Sequence, residues 1–189
     1  MKKSLGAKVL AFPTPVWIVG SYGEDDRPNM MCAAWAGVCC SKPPCVYISL
    51  RKATLTYGNI MTRKAFTVSI PSQKFVREAD HVGIVSGRDE DKFKKLGLTP
   101  IRSDIVDAPY PSEFEVVLEC KLLHTLEIGL HTEFVGEIMD VKADENLLDE
   151  KDHLSMEKFK PFVWDTGDAS YRAIGEKIGN GFEDGKTVK

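Results

Sequence analysis

Between Asn29 and Ile60 the chain reads NMMCAAWAGVCCSKPPCVYISLRKATLTYGNI, and two kinds of chemistry lie in it. The first is a bed for a flat ring. Ala33, Ala34, Ala36 and Gly37 surround Trp35. Side chains that small let a planar ligand approach backbone N–H and C=O groups, while the indole supplies an aromatic wall with one N–H. The same run also reads as a buried strand packed on a helix, since short apolar runs fit both. The second is an anion site. A strand-like run, Val46 to Leu50, empties into Arg51, Lys52, Thr54 and Thr56, where a helical pattern from Leu55 to Met61 begins. Such a junction turns free N–H groups, hydroxyls and a guanidinium toward one point, which suits a phosphate dianion. Thr54 serves equally as a simple N-cap.

The chain that must position these groups has 189 residues, 43% of them apolar, which is enough for one domain with a core of its own. A formal net charge of −3 and a pI near 5.8 carry no electrostatic footprint for nucleic acid or an anionic membrane surface. Lys8 and Pro13 interrupt the apolar run behind Lys2 and Lys3, and no run approaches the ~18 residues of a spanning helix, so a cytoplasmic protein is expected. The five cysteines, Cys32, Cys39, Cys40, Cys45 and Cys120, lack CxxC or zinc-like spacing, so no metal is expected and buried free thiols are.

Strand patterns dominate. Ala11 to Val19 starts with a proline-broken lead-in and becomes a strand through Tyr22; the polar turn at Glu24 to Pro28 returns it into a strand from Met30 to Val38, a local hairpin. Ala65 to Ile70 is a short strand. Ser72 to Val82 reads as a helix with Phe75, Ala79 and Val82 on one face, and Ser86 or Asp89 caps a second helix that ends at Gly97. Glu113 to Ile128 alternates with period two, one face wetter, and His131 to Val141 repeats the pattern after a reversal at Gly129. The acidic run Asp144 to Asp152 reads as a solvated helix or a docking face. No glycine-rich first turn opens a strand–helix–strand rhythm, which argues against a Rossmann or flavodoxin-like parallel sheet. The expectation is a mainly β protein, an antiparallel, nearly closed barrel with a few short inserted helices.

In this order, PTPVWIVGS, the Asn29 to Trp35 strand, SKPP at Ser41 to Pro44, ISLRKATLTYGNI, FTVSIPS, VSGRDEDKF, the GLHTEFVGEI ribbon and the closing YRAIGEKIGNGF resemble the flavin reductase-like, FMN-binding split-barrel family, in its flavoredoxin branch. The match spans nearly the whole chain. It implies a single domain over 1–189, and a homodimer with one FMN per subunit in a groove near the interface. Asn29, Met31, Ala33, Ala34 and Trp35 would then line the ring and ribityl region. Ser49, Arg51, Thr54 and Thr56 would face the phosphate, with Lys92 of VSGRDEDKF as a second cation. Phe162 and Trp164, from the segment 161–189, would cover the ring across the dimer, and His131 would stand where a nicotinamide approaches.

The resemblance departs at Gly129-Leu130-His131, where many relatives carry an acidic residue before the histidine, and at Val82, where relatives often have Cys. Two functions stay open on this reading. One is an oxidoreductase passing electrons from NAD(P)H or a protein donor through FMN to a flavin, metal or protein acceptor. The other is an electron carrier that docks on a redox partner without nicotinamide turnover, beside which stands a split barrel without flavin.

Overall fold

The computed structural model describes residues 1–188. Its strands are β1 (Thr14–Pro15), β2 (Trp17–Tyr22), β3 (Pro28–Ala33), β4 (Ala36–Ser41), β5 (Pro44–Arg51), β6 (Ala65–Ile70), β7 (Pro100–Arg102), β8 (Pro109–Pro111), β9 (Val116–Ile128), β10 (His131–Ala143), β11 (Phe162–Asp165) and β12 (Ser170–Ala173). The α-helices are α1 (Leu55–Arg63), α2 (Val76–Ile84), α3 (Lys92–Leu96) and α4 (Met156–Phe159). Seven strands form one antiparallel sheet in the order β3-β2-β6-β9-β10-β5-β4, beside a three-stranded sheet β1-β11-β12 and the pair β7-β8.

The edge strands of the large sheet, β3 and β4, are separated in sequence by only Ala34 and Trp35. Two residues span at most about 7 Å, so the sheet must bend until its edges meet. The Ser49 N–H donates to the Trp35 carbonyl at 2.8 Å, carrying the β4–β5 pairing one residue further into that corner. This is the mainly β, antiparallel split barrel with short inserted helices that the sequence implied. The continuous strand expected from Met30 to Val38 is instead two strands, because the chain changes edges at Ala34-Trp35.

Two apolar clusters hold the sheet. One includes Val46, Ile48, Phe66, Val68, Cys120 and Phe134. The other includes Ile18 and Met30 with Ala79 and Val82 of α2, Phe93 of α3 and Phe162 of β11. Strand β2 is therefore buried along its whole length, serving both. In β10, Gly136 lies where an added Cβ would stand 2.5 Å from Cζ of the buried Phe66. Gly136→Ala should cost about 1–3 kcal/mol through overpacking, read as a lower midpoint in denaturant unfolding; an unchanged midpoint would show that Phe66 repacks freely.

The ribbon β9–β10 forms as expected, reversing at Gly129 with φ +53°. Its wetter face is dry in the first half, however: Val117 is buried, and Glu119 is 0% exposed and paired with Lys142. Three further expectations change. Asp91, not Ser86 or Asp89, caps α3, accepting from the Lys94 N–H at 3.1 Å. The acidic run holds a 3₁₀ turn at Glu145–Leu147 rather than a helix. Cys39 and Cys40 are exposed, whereas Cys45 and Cys120 are buried. Among the described residues no helix is long and apolar enough to cross a membrane.

Candidate functional site

At the seam of the split barrel two cavities lie side by side, of about 230 and about 570 Å³. They share Met31, Arg51, Thr54, Gly83 and Ile84 as walls. The larger has the size of a small-molecule site, for which ~300–1,000 Å³ is usual. Strand β3, the Ala34-Trp35 corner, the end of β5, the start of β10 and the C-terminal part of α2 all converge here because the sheet bends.

The larger cavity is bordered by Met31, Cys32, Ala33, Ala34 and Trp35, by Ser49 and Arg51 of β5, and by His131 and Trp164. His131 opens β10, in register with Arg51 on one side and Ile128 on the other, and its imidazole makes no hydrogen bond among the described residues. Burial, reinforced by Asp80, pushes the Cys32 thiol up to about 12, so it stays protonated. Trp164 packs edge to face on Tyr171 with ring centroids 5.0 Å apart. The Tyr171 hydroxyl donates to Asp80 Oδ1 at 2.9 Å, joining β12 to α2 at this cavity.

The smaller cavity is bordered by Asn29, Thr54, Thr56 and Lys92 and by the Gly83–Gly87 loop. Thr54 is the N-cap of α1, its Oγ1 accepting from the Tyr57 N–H at 3.3 Å. The preceding N–H groups of the helix have no intrahelical partner and lie at this cavity with Leu55 and Thr56. Asn29 Nδ2 donates to Thr56 Oγ1 at 3.0 Å. Gly87 is required beside it, because an added Cβ would collide with Asn29 Oδ1. Arg88 Nη1 donates to the Ala53 carbonyl at 2.7 Å and Arg27 donates to the Gly87 carbonyl, so the two loops around the cavity are tied to each other and to the sheet.

Lys92 is 4% exposed and its Nζ donates to the carbonyls of Met30 at 2.9 Å and Val82 at 2.8 Å. An ammonium has three donors, so one remains for a ligand. Burial lowers its pKa to about 8, against the upward pull of Glu90 and Cys32. The guanidinium of Arg51 makes no hydrogen bond or ion pair among the described residues and borders both cavities.

Every residue singled out from the sequence borders one of these cavities except Phe162. That side chain, expected to cover the ring across the dimer, is instead buried in the second apolar cluster of its own subunit, edge to face with Tyr171. Two others exchange places: Asn29 stands at the small cavity and Ser49 at the large one. Gly83, Ile84, Asp80 and Tyr171 were missed. The glycine pair at 83 and 87, just where α2 runs out, was the available signal.

A split barrel is the fold that the flavin reductase-like resemblance implied, and two adjoining cavities lie at its seam. The chain belongs to that family, described as Flavin reductase like domain, which matches residues 9–171. Within it, the flavoredoxin of Desulfovibrio vulgaris (Miyazaki F) is 52% identical, with a TM-score of 0.94 over 98% of this chain and 100% of that one. Flavoredoxin from Methanosarcina acetivorans is 27% identical, with a TM-score of 0.91 over 98% of each chain. A ferric-chelate reductase (NAD(P)H) of Archaeoglobus fulgidus is 28% identical over 64% of this chain and 72% of its own length. The likeness to the flavoredoxin branch holds.

Proposed function

We propose that this chain is an FMN-binding flavoprotein oxidoreductase of the flavoredoxin type, acting as one domain over 1–189. The observation that carries the reading is the uncommitted guanidinium of Arg51, placed where the larger cavity meets the smaller. Arg51, Lys92 and the N-terminal turn of α1 hold the phosphate, Lys92 being fixed by two backbone carbonyls and the turn by its Thr54 cap, while Arg51 is free to engage the ligand. Ala33 and Ala34 let the ring lie close to the backbone, with Met31 and Trp35 beside it and Trp164 as the outer wall. Bound there, FMN supplies hydride and single-electron transfer, and the protein supplies position and electrostatics. His131 orients the incoming donor or holds a proton near the reacting face.

The chain's work on this reading is to take electrons from NAD(P)H or a protein donor and pass them to a flavin, metal or protein acceptor, in the cytoplasm. Pairing into a homodimer is supported by the ribbon tip, where Leu126, Ile128 and Leu130 are each more than half exposed. The visible spectrum of the purified protein tests the cofactor: flavin bands are expected, and a colourless protein that FMN cannot reconstitute would end the proposal. Anaerobic stopped-flow mixing with NADH and NADPH tests the reaction. Rapid bleaching is expected. Its absence in a yellow protein would favour the carrier, to which the missing acidic residue before His131 points.

Lys92 makes phosphate binding depend on pH. Its folded pKa, about 8, lies below the ordinary 10.5. The cost of burying the charge is therefore present below pH 8 and relieved between there and 10.5, so the fold gains from alkali what the phosphate site loses. The dissociation constant for FMN should rise about tenfold from pH 7 to 9, followed by quenching of flavin fluorescence. Lys92→Met should bind more weakly at pH 7 and show a flat profile. The same slope in the variant would assign the titration to another group.

A further inference from the structure

Away from the flavin cavities, three of the five cysteines meet on one hairpin. In the β4–β5 pair, Val38 stands opposite Val46 and Cys40 opposite Cys45, so Cys39 is the extra residue of a bulge. A bulge sets two residues of one strand against one of the other. Here two exposed thiols, Cys39 and Cys40, face one buried thiol, Cys45, which is 3% exposed. Directly opposed residues of an antiparallel pair have Cα atoms about 4.5–5.5 Å apart, inside the roughly 4.4–6.8 Å that a disulfide requires. Neighbours such as Cys39 and Cys40, about 3.8 Å apart, are too close for a relaxed bond. Among the described residues no cluster of His, Cys, Asp or Glu has the arrangement of a metal site, which leaves thiol chemistry.

We propose that Cys40 and Cys45 are a reversible dithiol–disulfide site, oxidised across the β4–β5 hairpin by exchange with a small-molecule disulfide. The exposed Cys40 thiolate attacks the incoming disulfide, forms a mixed disulfide and expels one thiolate. Cys45, on losing its proton, attacks the Cys40 sulfur and expels the second. One disulfide bond is broken and one is formed. The two protein thiols are oxidised, the small molecule is reduced to two thiols, and the two protons go to them.

Burial, with the nearby thiols and Glu137, raises the Cys45 pKa, so the second step is slow at neutral pH and quickens in alkali. In a reducing compartment such a bond is transient and reports an oxidising challenge. Cys45 lies four residues before Ser49, roughly 13 Å along the strand at ~3.3 Å per residue. Direct exchange of the pair with a group in the ring cavity is therefore out of reach, and the site is separate from the flavin site. It tests separately too, since nothing in it depends on FMN.

The test is incubation of the full-length protein with oxidised glutathione, then denaturation, alkylation and intact-mass and peptide analysis. Alkylatable thiols should fall from five to three, with the peptides carrying Cys40 and Cys45 linked within one chain. Cys39→Ser should keep the link. Cys40→Ser and Cys45→Ser should each abolish it with circular dichroism unchanged, Cys45→Ser leaving a glutathione adduct on the exposed Cys40 and Cys40→Ser leaving the buried Cys45 as a free thiol. Five thiols still free, glutathione adducts alone on the unmodified sequence, a link between two chains, or loss of the link in Cys39→Ser would each overturn the proposal.

Discussion

FMN is expected to bind about a hundredfold more tightly than riboflavin. The difference is the phosphate, and two cations oppose it: Arg51, which has no protein partner among the described residues, and Lys92, with one donor left after the carbonyls of Met30 and Val82. Charge-assisted hydrogen bonds contribute about 1.5–3 kcal/mol each. The lower figure for both together is about 3 kcal/mol, or two powers of ten. Arg51 is solvent-exposed, so Arg51→Ala should account for about tenfold of the total rather than the upper limit. Calorimetry with the two flavins and the variant checks both values. Equal affinities for riboflavin and FMN would remove the phosphate assignment and leave the small cavity without a ligand.

The second large effect concerns His131. Replacing it with Ala should leave FMN affinity within about threefold while slowing reduction of the flavin about 10- to 100-fold, the lower part of what a positioned acid–base group contributes. The separation follows from where the residue stands. Its imidazole borders the larger cavity beside Trp35 and Ser49, not the smaller one with Thr56 and Lys92, and among the described residues no protein group holds it. Titration with FMN and anaerobic stopped-flow reduction read the two quantities independently. Loss of FMN in the variant would make His131 a binding residue, and an unchanged rate would make it an ordinary residue at the start of a strand.

The geometry also alters one earlier expectation about the C-terminal segment. Strand β11 pairs with β1 and β12, and Phe162 completes an apolar cluster with Ile18, Met30 and Val82. Deleting the chain beyond Lys160 would therefore strip this subunit's own core, and a loss of flavin in such a truncation would say little about the dimer. Trp164 is the member of the pair that borders the ring cavity.

By itself the sequence determined the periodic elements and the types of group available. The ribbon from Val116 to Ala143, the strand Ala65–Ile70 and the capped helix after Arg51 were legible because two-residue and 3.6-residue periodicities, Gly129 and Thr54 are local signals. The pairing of small residues near Trp35 with cations near Thr54 was legible for the same reason, since both lie within one stretch of 32 residues, Asn29 to Ile60. Only the tertiary structure decided which of those groups meet. The register of β5 against β10 sets His131 beside Arg51, 80 positions away in sequence, and the bend at Ala34-Trp35 brings opposite edges of the sheet together. Burial was settled there too: Glu119 and Lys92 carry charges that pattern alone assigns to solvent. The curled sheet and α2 enclose them because each finds a partner, Lys142 for the carboxylate and two backbone carbonyls for the ammonium.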